Sequence, residues 1–139
     1  MIKEIHLPLV GRLGKKNYWF TLNNYRNWHF QVSNNLKKKF KKGLEGQLNF
    51  VYEGKIQIRY EYYTPNNSKR DLMNTISVID KFFQDALVEN KCIESDDLFT
   101  VPRVHAEYIK LDKENPRLVA FIERYVPREE NIELDLFGN

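Results

Sequence analysis

The stretch LMNTISVIDKFFQDALVE, residues 72–89, decides the fold that the sequence predicts. At about 3.6 residues per turn, most of its apolar side chains fall within one arc, as in a helix that packs on a core. That arc consists of Leu72, Ile76, Ile79, Phe83, Ala86 and Leu87. Val78 and Phe82 lie beside the arc, so we expect them to be exposed and to contact a partner subunit or nucleic acid.

The opposite side of this helix carries a polar stripe with the same spacing of three or four residues. It consists of Asp71, Asn74, Ser77, Lys81 and Asp85. A polar stripe is the default for a surface helix. Carboxylate, amide and ammonium groups together are also the groups that hold metal ions and phosphates, so the stripe is a candidate functional site.

Two adjacent acids, Asp96 and Asp97, follow the helix. The helix from Asp71 to Glu89 is ~27 Å long, and the extended chain from Glu89 to Asp97 spans at most ~29 Å, so the pair can return to Asp71. We therefore expect a metal site at Asp71 and Asp97, with Asp96 or Asp85 assisting, because carboxylate oxygens suit Mg²⁺. Such a site would support hydrolysis of a phosphodiester.

The rest of the chain predicts an α+β fold, with a single domain at residues 1–124 and an acidic tail at 125–139. The remaining predicted elements are a strand at 2–8, a turn at 11–14, a helix at 25–42 capped by Asn23 or Asn24, and two hairpins, 48–52 with 55–63 and 100–111 with 117–123. In the first long helix Tyr25, Trp28, Val32, Leu36 and Phe40 are expected to face the core. In the strand at 55–63 the expected core face is Ile56, Ile58, Tyr60 and Tyr62.

The charge is distributed unevenly along the chain. Residues 1–64 carry 12 Lys+Arg and 4 Asp+Glu, which leaves 10 and 15 for residues 65–139. Basic surface beside clustered carboxylates is typical of a metal-dependent nuclease, although two solvated faces of unlike sign would give the same balance. The candidate DNA contacts are Arg12, Lys15, Lys16, Arg26, Lys37, Lys38, Lys39, Lys41, Lys42, Lys69 and Arg70.

Several other kinds of site and location are disfavoured. Cys92 is the single cysteine, so neither an internal disulfide nor a cysteine-based zinc site can form. His6, His29 and His105 have no ligand spacing, and a Gly-rich phosphate loop is missing. Because the sequence lacks a membrane-length apolar run and a signal peptide, we expect a cytoplasmic protein.

Three separated motifs, KRDLMN at 69–74, DKFFQDAL at 80–87 and IESDD at 93–97, occur in one order. They resemble the signature of the RusA family of phage-type Holliday-junction resolvases. That signature has Asp-x-Asp-Asn at the start of a helix, a Lys before Asp-Ala-Leu, and an Asp-Asp pair before the next strand. The segment LNNYRNW at 22–28 and the basic helix after it are also similar to phage members. The resemblance covers most of residues 17–122.

The resemblance implies an α+β homodimer in the cytoplasm of a bacterial host cell, which binds four-way DNA junctions and cuts them with Mg²⁺, or with Mn²⁺ as a substitute. It assigns Asp71 and Asp97 as metal ligands, Asp96 as a third ligand and Lys81 as the catalytic lysine.

Two departures from the signature keep alternatives open. The helix between Asp71 and Asp85 is about one turn longer than in the type member, which bears on the assignment of Lys81. Met73 stands where the second Asp is expected, and a thioether does not bind Mg²⁺. Asp85 could supply the missing carboxylate. The alternatives are a junction-binding protein of the same fold with reduced or lost cleavage, and an unrelated basic interaction module.

The tail contains ELDLF, from Glu133 to Phe137. This peptide is similar to the Gln-Leu-Asp-Leu-Phe form by which bacterial replication and repair proteins dock on the sliding clamp. The resemblance implies that the tail binds the clamp. An edge strand is the alternative, because Ile132, Leu134 and Leu136 alternate with period two.

Overall fold

A computed structural model describes residues 1–128. Its elements, in chain order, are β1 (Lys3–Leu7), β2 (Val10–Leu13), β3 (Lys16–Trp19), α1 (Leu22–Asn27), α2 (Phe30–Leu44), a 3-10 turn (Glu45–Gln47), β4 (Ile56–Thr64), α3 (Met73–Glu89), β5 (Arg103–Leu111) and β6 (Arg117–Arg124). The predicted α+β class is confirmed. Among these residues, no helix combines the length and the apolar character needed to cross a membrane.

Four strands form a mixed sheet in the order β1-β6-β4-β5, and β2 and β3 form a separate hairpin. β4 pairs with β6 in antiparallel and with β5 in parallel orientation. The predicted hairpin of β5 with β6 is therefore wrong, because β4 lies between them. The burial of β5 and β6 matches their positions in the sheet. β6 buries Leu118, Ala120 and Ile122 in the core, whereas most side chains of the edge strand β5 are exposed or half-buried.

The other predicted hairpin is also wrong, because residues 48–52 form no strand. The alternating residues Leu48, Phe50 and Tyr52 are buried as the period-two pattern requires. Tyr52 makes hydrogen bonds to other elements in place of a hairpin partner. Its backbone amide donates to the Cys92 carbonyl at 2.8 Å, and its hydroxyl donates to the Ile122 carbonyl at 3.0 Å. The core face of β4 is confirmed, with Ile56, Ile58, Tyr60 and Tyr62 all buried.

The single helix predicted at 25–42 is instead two helices. Thr21, and neither Asn23 nor Asn24, caps α1, and its hydroxyl accepts the Asn24 amide at 3.3 Å. The backbone is extended at Trp28, which ends α1, and His29 then caps α2. The Trp28 ring packs edge-on against Tyr18, Phe20 and Tyr25. The residues expected to form the turn at 11–14 belong mostly to β2, and the turn lies at Gly14.

The predicted helix at 72–89 is confirmed as α3, and Ile76, Ile79 and Phe83 are buried as expected. The expectation for Val78 and Phe82 is wrong: their side chains are 3% and 0% exposed. α3 has the sheet on one side and α1 and α2 on the other. A helix between two layers buries two faces, so an apolar residue outside the main arc still lies in the core.

Candidate functional site

A polar groove lies where α1, the loop at 65–71 and the start of α3 meet. It comprises two adjoining cavities of about 420 and 520 Å³. Asn23 from α1, Lys69 and Arg70 from the loop, and Asn74 from α3 line both of them. Three separate chain segments therefore present amide and cationic side chains to one space, which we call the groove.

The α1 side of the groove is held in place by local hydrogen bonds. Because Thr21 caps the helix, the Asn23 and Asn24 side chains are free for other uses. The side-chain amide of Asn24 donates to the Trp19 carbonyl at 3.2 Å, and this bond links α1 to the end of β3. Asn23 and Arg26, three residues apart on the same helix face, line the larger cavity. The sequence singled out the two asparagines only as helix caps, so their place in the groove was missed.

Asp71 marks the α3 side of the groove. One oxygen of its carboxylate accepts the Met73 amide at 3.0 Å, and its backbone carbonyl accepts the Asn74 amide at 3.1 Å. These bonds fix Asp71 at the first turn of α3 while its side chain stays exposed. Ser77, one turn further, lines the same cavity. The first part of the predicted polar stripe therefore faces the groove.

The charge of the groove is mainly positive. Arg26, Lys69 and Arg70 line the larger cavity together with the single acidic side chain of Asp71. Among the described residues that line the smaller cavity there are two cations and no acid. Cationic and amide donors converging on a space of this size are suited to a phosphate-bearing ligand.

Lys81 lies one turn beyond Ser77 on α3, and it is joined to α1. Its Nζ donates to the Tyr25 hydroxyl at 3.2 Å and lies 5.5 Å from the centre of the same ring. Burial raises the pKa of Tyr25, but the hydrogen bond from Lys81 and the charges of Lys37 and Lys81 outweigh it, so the pKa is lowered. Tyr25 thus holds the predicted catalytic lysine one turn beyond Ser77, and neither Tyr25 nor Lys81 lines the two cavities of the groove.

Asp97 lies apart from the groove. Its carboxylate accepts the Phe99 and Thr100 amides, each at 3.0 Å. The Thr100 amide, followed by the Ser95 hydroxyl, holds the pKa of Asp97 below its usual value. The carboxylate therefore caps its own turn and is exposed to solvent.

The structure does not bring Asp97 to Asp71. The Thr100 carbonyl accepts the Ile56 amide at 2.9 Å, so the turn of Asp97 lies at the start of β4. Asp71 shares a cavity with Thr64, at the other end of the same strand. β4 has nine residues, which is about 30 Å at roughly 3.3 Å per residue. The loop after α3 continues to β4 and β5 instead of returning to the start of the helix.

Asp96 and Asp85 also lie outside the groove, and Asp96 is close enough to Asp80 to affect its titration. Asp80 is mostly buried and accepts hydrogen bonds from the Tyr60 hydroxyl and, at 3.0 Å, from the Gln84 amide. Burial, helped by the charge of Asp96, raises the pKa of Asp80. This acid, one residue before Lys81, was not singled out by the sequence because it lies among apolar residues.

Within residues 1–128, no three His, Cys, Asp or Glu side chains are grouped so that they could hold a metal ion. Of the four predicted acids, Asp71 is the one that lines the groove. Mg²⁺ commonly takes one or two protein carboxylates and completes its shell with water and substrate phosphate. Asp71 fits this mode of binding, in which the phosphate ligand and the ion enter together. Asp85, Asp96 and Asp97 do not contribute to it.

The lysines of α2 do not form one free surface. Three of the five contact other elements: Lys37 lies 5.7 Å from the Phe82 ring centre, Lys39 donates to the Arg12 carbonyl, and Lys41 pairs with Glu89. Lys38 and Lys42 are exposed. Arg12, Lys15 and Lys16 are exposed on the β2–β3 hairpin. Of the predicted DNA contacts, Arg26, Lys69 and Arg70 are the ones that converge on the groove.

No protein-family model matches the chain, and a search of curated proteins finds no relative.

Proposed function

We propose that the protein is a structure-selective DNA endonuclease, similar in activity to the RusA family, and that the groove binds the phosphate backbone of branched DNA. The observation that carries the proposal is the convergence of Arg26, Lys69 and Arg70 with Asp71 in one groove. The first of the three RusA-like motifs supports the same proposal, because it supplies the loop cations and Asp71 of the groove.

The groove favours a nucleic-acid strand over other anions. Half or more of protein–DNA hydrogen bonds go to phosphate and sugar, from arginine, lysine and amide side chains. The groove supplies all three types. The basic residues of the β2–β3 hairpin, Arg12, Lys15 and Lys16, are exposed and would add to the charge that attracts DNA. The positive charge would attract DNA, and the amides would position it. The groove cations would contact phosphates and make no base-specific contacts.

The chain's own residues have distinct roles in cleavage under this proposal. Asp71 would hold Mg²⁺, and the ion when bound would supply Lewis-acid activation of the phosphodiester. Asn74 and Ser77 position the strand. Lys81, held by Tyr25, offsets the negative charge that develops on the phosphate oxygens.

A second candidate function is junction binding without cleavage. Met73, which stands at the position of the second acid in the RusA signature, is 52% exposed and lines the groove. A methionine there leaves the site with one carboxylate in place of two. The same groove would then bind branched DNA and leave it intact.

Two further predictions about partners stay predictions. A homodimer suits a junction whose strands are related by two-fold symmetry, but Val78 and Phe82 cannot form its contact, because both are buried. The clamp-binding peptide from Glu133 to Phe137 lies outside the described residues.

The proposal is tested by nicking of a labelled four-way junction in Mg²⁺ and in Mn²⁺. Wild type should nick, and Asp71→Asn should bind the junction with unchanged affinity and not nick it. Asp97→Asn is the informative comparison. The structure predicts that it retains nicking, whereas the RusA signature predicts that it does not. Junction binding by wild type without nicking in either metal would favour the second candidate.

A further inference from the structure

Trp19 is an exposed aromatic residue at the wall of the smaller groove cavity. It ends β3, with 39% of its surface exposed. Its backbone is fixed, because Trp19 pairs with Val10 of β2, the Asn24 side-chain amide donates to the Trp19 carbonyl at 3.2 Å, and the next residue, Phe20, is 1% exposed. A large apolar ring held on a rigid backbone yet left in solvent is available for contact with a ligand.

The cavity beside Trp19 has the size and the chemistry of a nucleotide site. Its volume is about 420 Å³, within the range of roughly 300–1,000 Å³ that is usual for ligand sites. Its remaining lining includes four asparagines, one lysine and one arginine: Asn23, Asn24, Asn66, Asn74, Lys69 and Arg70. An asparagine amide both donates and accepts hydrogen bonds, as the edge of a nucleobase does.

We propose that this cavity binds one unpaired nucleotide of a DNA strand, with the base stacked on Trp19 and its phosphate held by Lys69 and Arg70. The inference rests on the proposed function and narrows it, because it makes an unstacked base at a branch point the feature that is recognised. A phosphate alone would need only the two cations. The exposed ring and the side chains of Asn23 and Asn74 are accounted for when a base occupies the cavity, since single-stranded bases are bound by aromatic stacking and by their edges.

The first test uses the fluorescence of Trp19. The chain has two tryptophans, so Trp28→Phe leaves Trp19 as the sole reporter. A duplex with a single-nucleotide bulge should quench this emission, and the same duplex without the bulge should not. Thymidine monophosphate should quench only at far higher concentration, because it lacks the flanking strand. Equal quenching by both duplexes, or equal potency of the mononucleotide, would overturn the proposal.

The second test keeps Trp28 and compares affinities, in case Trp28→Phe does not fold. Trp19→Ala should weaken binding of the bulged duplex roughly tenfold, as loss of one stacked base does, and binding of the paired duplex by less than about twofold. Trp19→Phe should restore most of the loss. Equal weakening for both duplexes would assign Trp19 a structural role and refute the inference. The proposed function fails separately, if wild type binds neither DNA in a salt-dependent manner.

Discussion

The Nζ of Lys81 on α3 lies 3.2 Å from the hydroxyl oxygen of Tyr25 on α1. This bond joins the two helices that form opposite sides of the groove. It also places the predicted catalytic lysine one helical turn from Ser77, which lines the groove. The separation between the α1 asparagines and the polar stripe of α3 is therefore partly set by this pair.

Removal of Lys81 should change the titration of Tyr25. In the wild type, burial raises the pKa of Tyr25. The Lys81 hydrogen bond and the Lys37 and Lys81 charges lower it by more, so the net pKa is below the usual value. In Lys81→Met, burial and Lys37 remain, so the pKa of Tyr25 should rise. Tyrosine ring-carbon NMR, with Tyr25→Phe to assign the signal, measures this shift. A pKa of Tyr25 that is the same in Lys81→Met would show that the pair is not formed in solution.

Asp80→Asn should stabilise the protein at neutral pH. The pKa of Asp80 is raised by burial above its ordinary value of 3.8. A raised acid pKa means that the native state binds the proton more tightly than the unfolded state. Its contribution to stability is present below the unfolded pKa and is lost as pH rises through the folded pKa. The gain from Asn should therefore be largest near pH 7 and should vanish toward pH 3.8.

Urea denaturation of wild type and Asp80→Asn across this pH range measures the effect. Asp112→Asn is the matched control of opposite sign, because the Arg117 side chain holds the pKa of Asp112 below its usual value. Asp112→Asn should lose stability at neutral pH, and that loss should disappear in acid. A stability difference for Asp80→Asn that does not depend on pH would contradict the burial of an ionisable carboxyl there.

Gly11 allows β2 to pack closely on the core. A Cβ at Gly11 would lie 2.7 Å from Leu36 Cδ2 and 3.0 Å from Phe20 Cζ, and both of these side chains are buried. Gly11→Ala should therefore lower the free energy of unfolding by about 1–3 kcal/mol. Gly43, inside α2, has open space around it, so Gly43→Ala should raise stability by about 0.5–1 kcal/mol. Equal effects of the two substitutions in chemical denaturation would refute this packing.

The sequence predicted local periodicity well and long-range pairing poorly. One of the two buried faces of α3, and the buried face of β4, follow from periods of 3.6 and 2, which depend only on neighbours in the chain. The position of β4 between β5 and β6 pairs strands that are distant in the chain, and the short connection from β5 to β6 does not indicate that. The break at Trp28 accompanies ring contacts with Tyr18 of β3 and with Phe20, and both residues lie outside the predicted helix.

The candidate site was predicted in part for the same reason. Lys69, Arg70 and Asp71 are consecutive in the chain, and all three line the groove. Asp97 could reach Asp71 by contour length alone. Burial of Cys92 and Ile93 in the core anchors the loop near the other end of α3. Trp19 and Asn23 enter the site through tertiary packing, for which the sequence carries no periodic signal.

The central claim, that the groove binds DNA phosphates, is tested most directly by the salt dependence of four-way-junction binding. Each phosphate contact contributes a slope of about 0.9 in log K against log salt, so Arg26→Gln combined with Arg70→Gln should lower the magnitude of the slope by roughly 2. Lys55→Gln, at an exposed position before the start of β4, should keep the wild-type slope. A wild-type slope in the double variant would contradict the account.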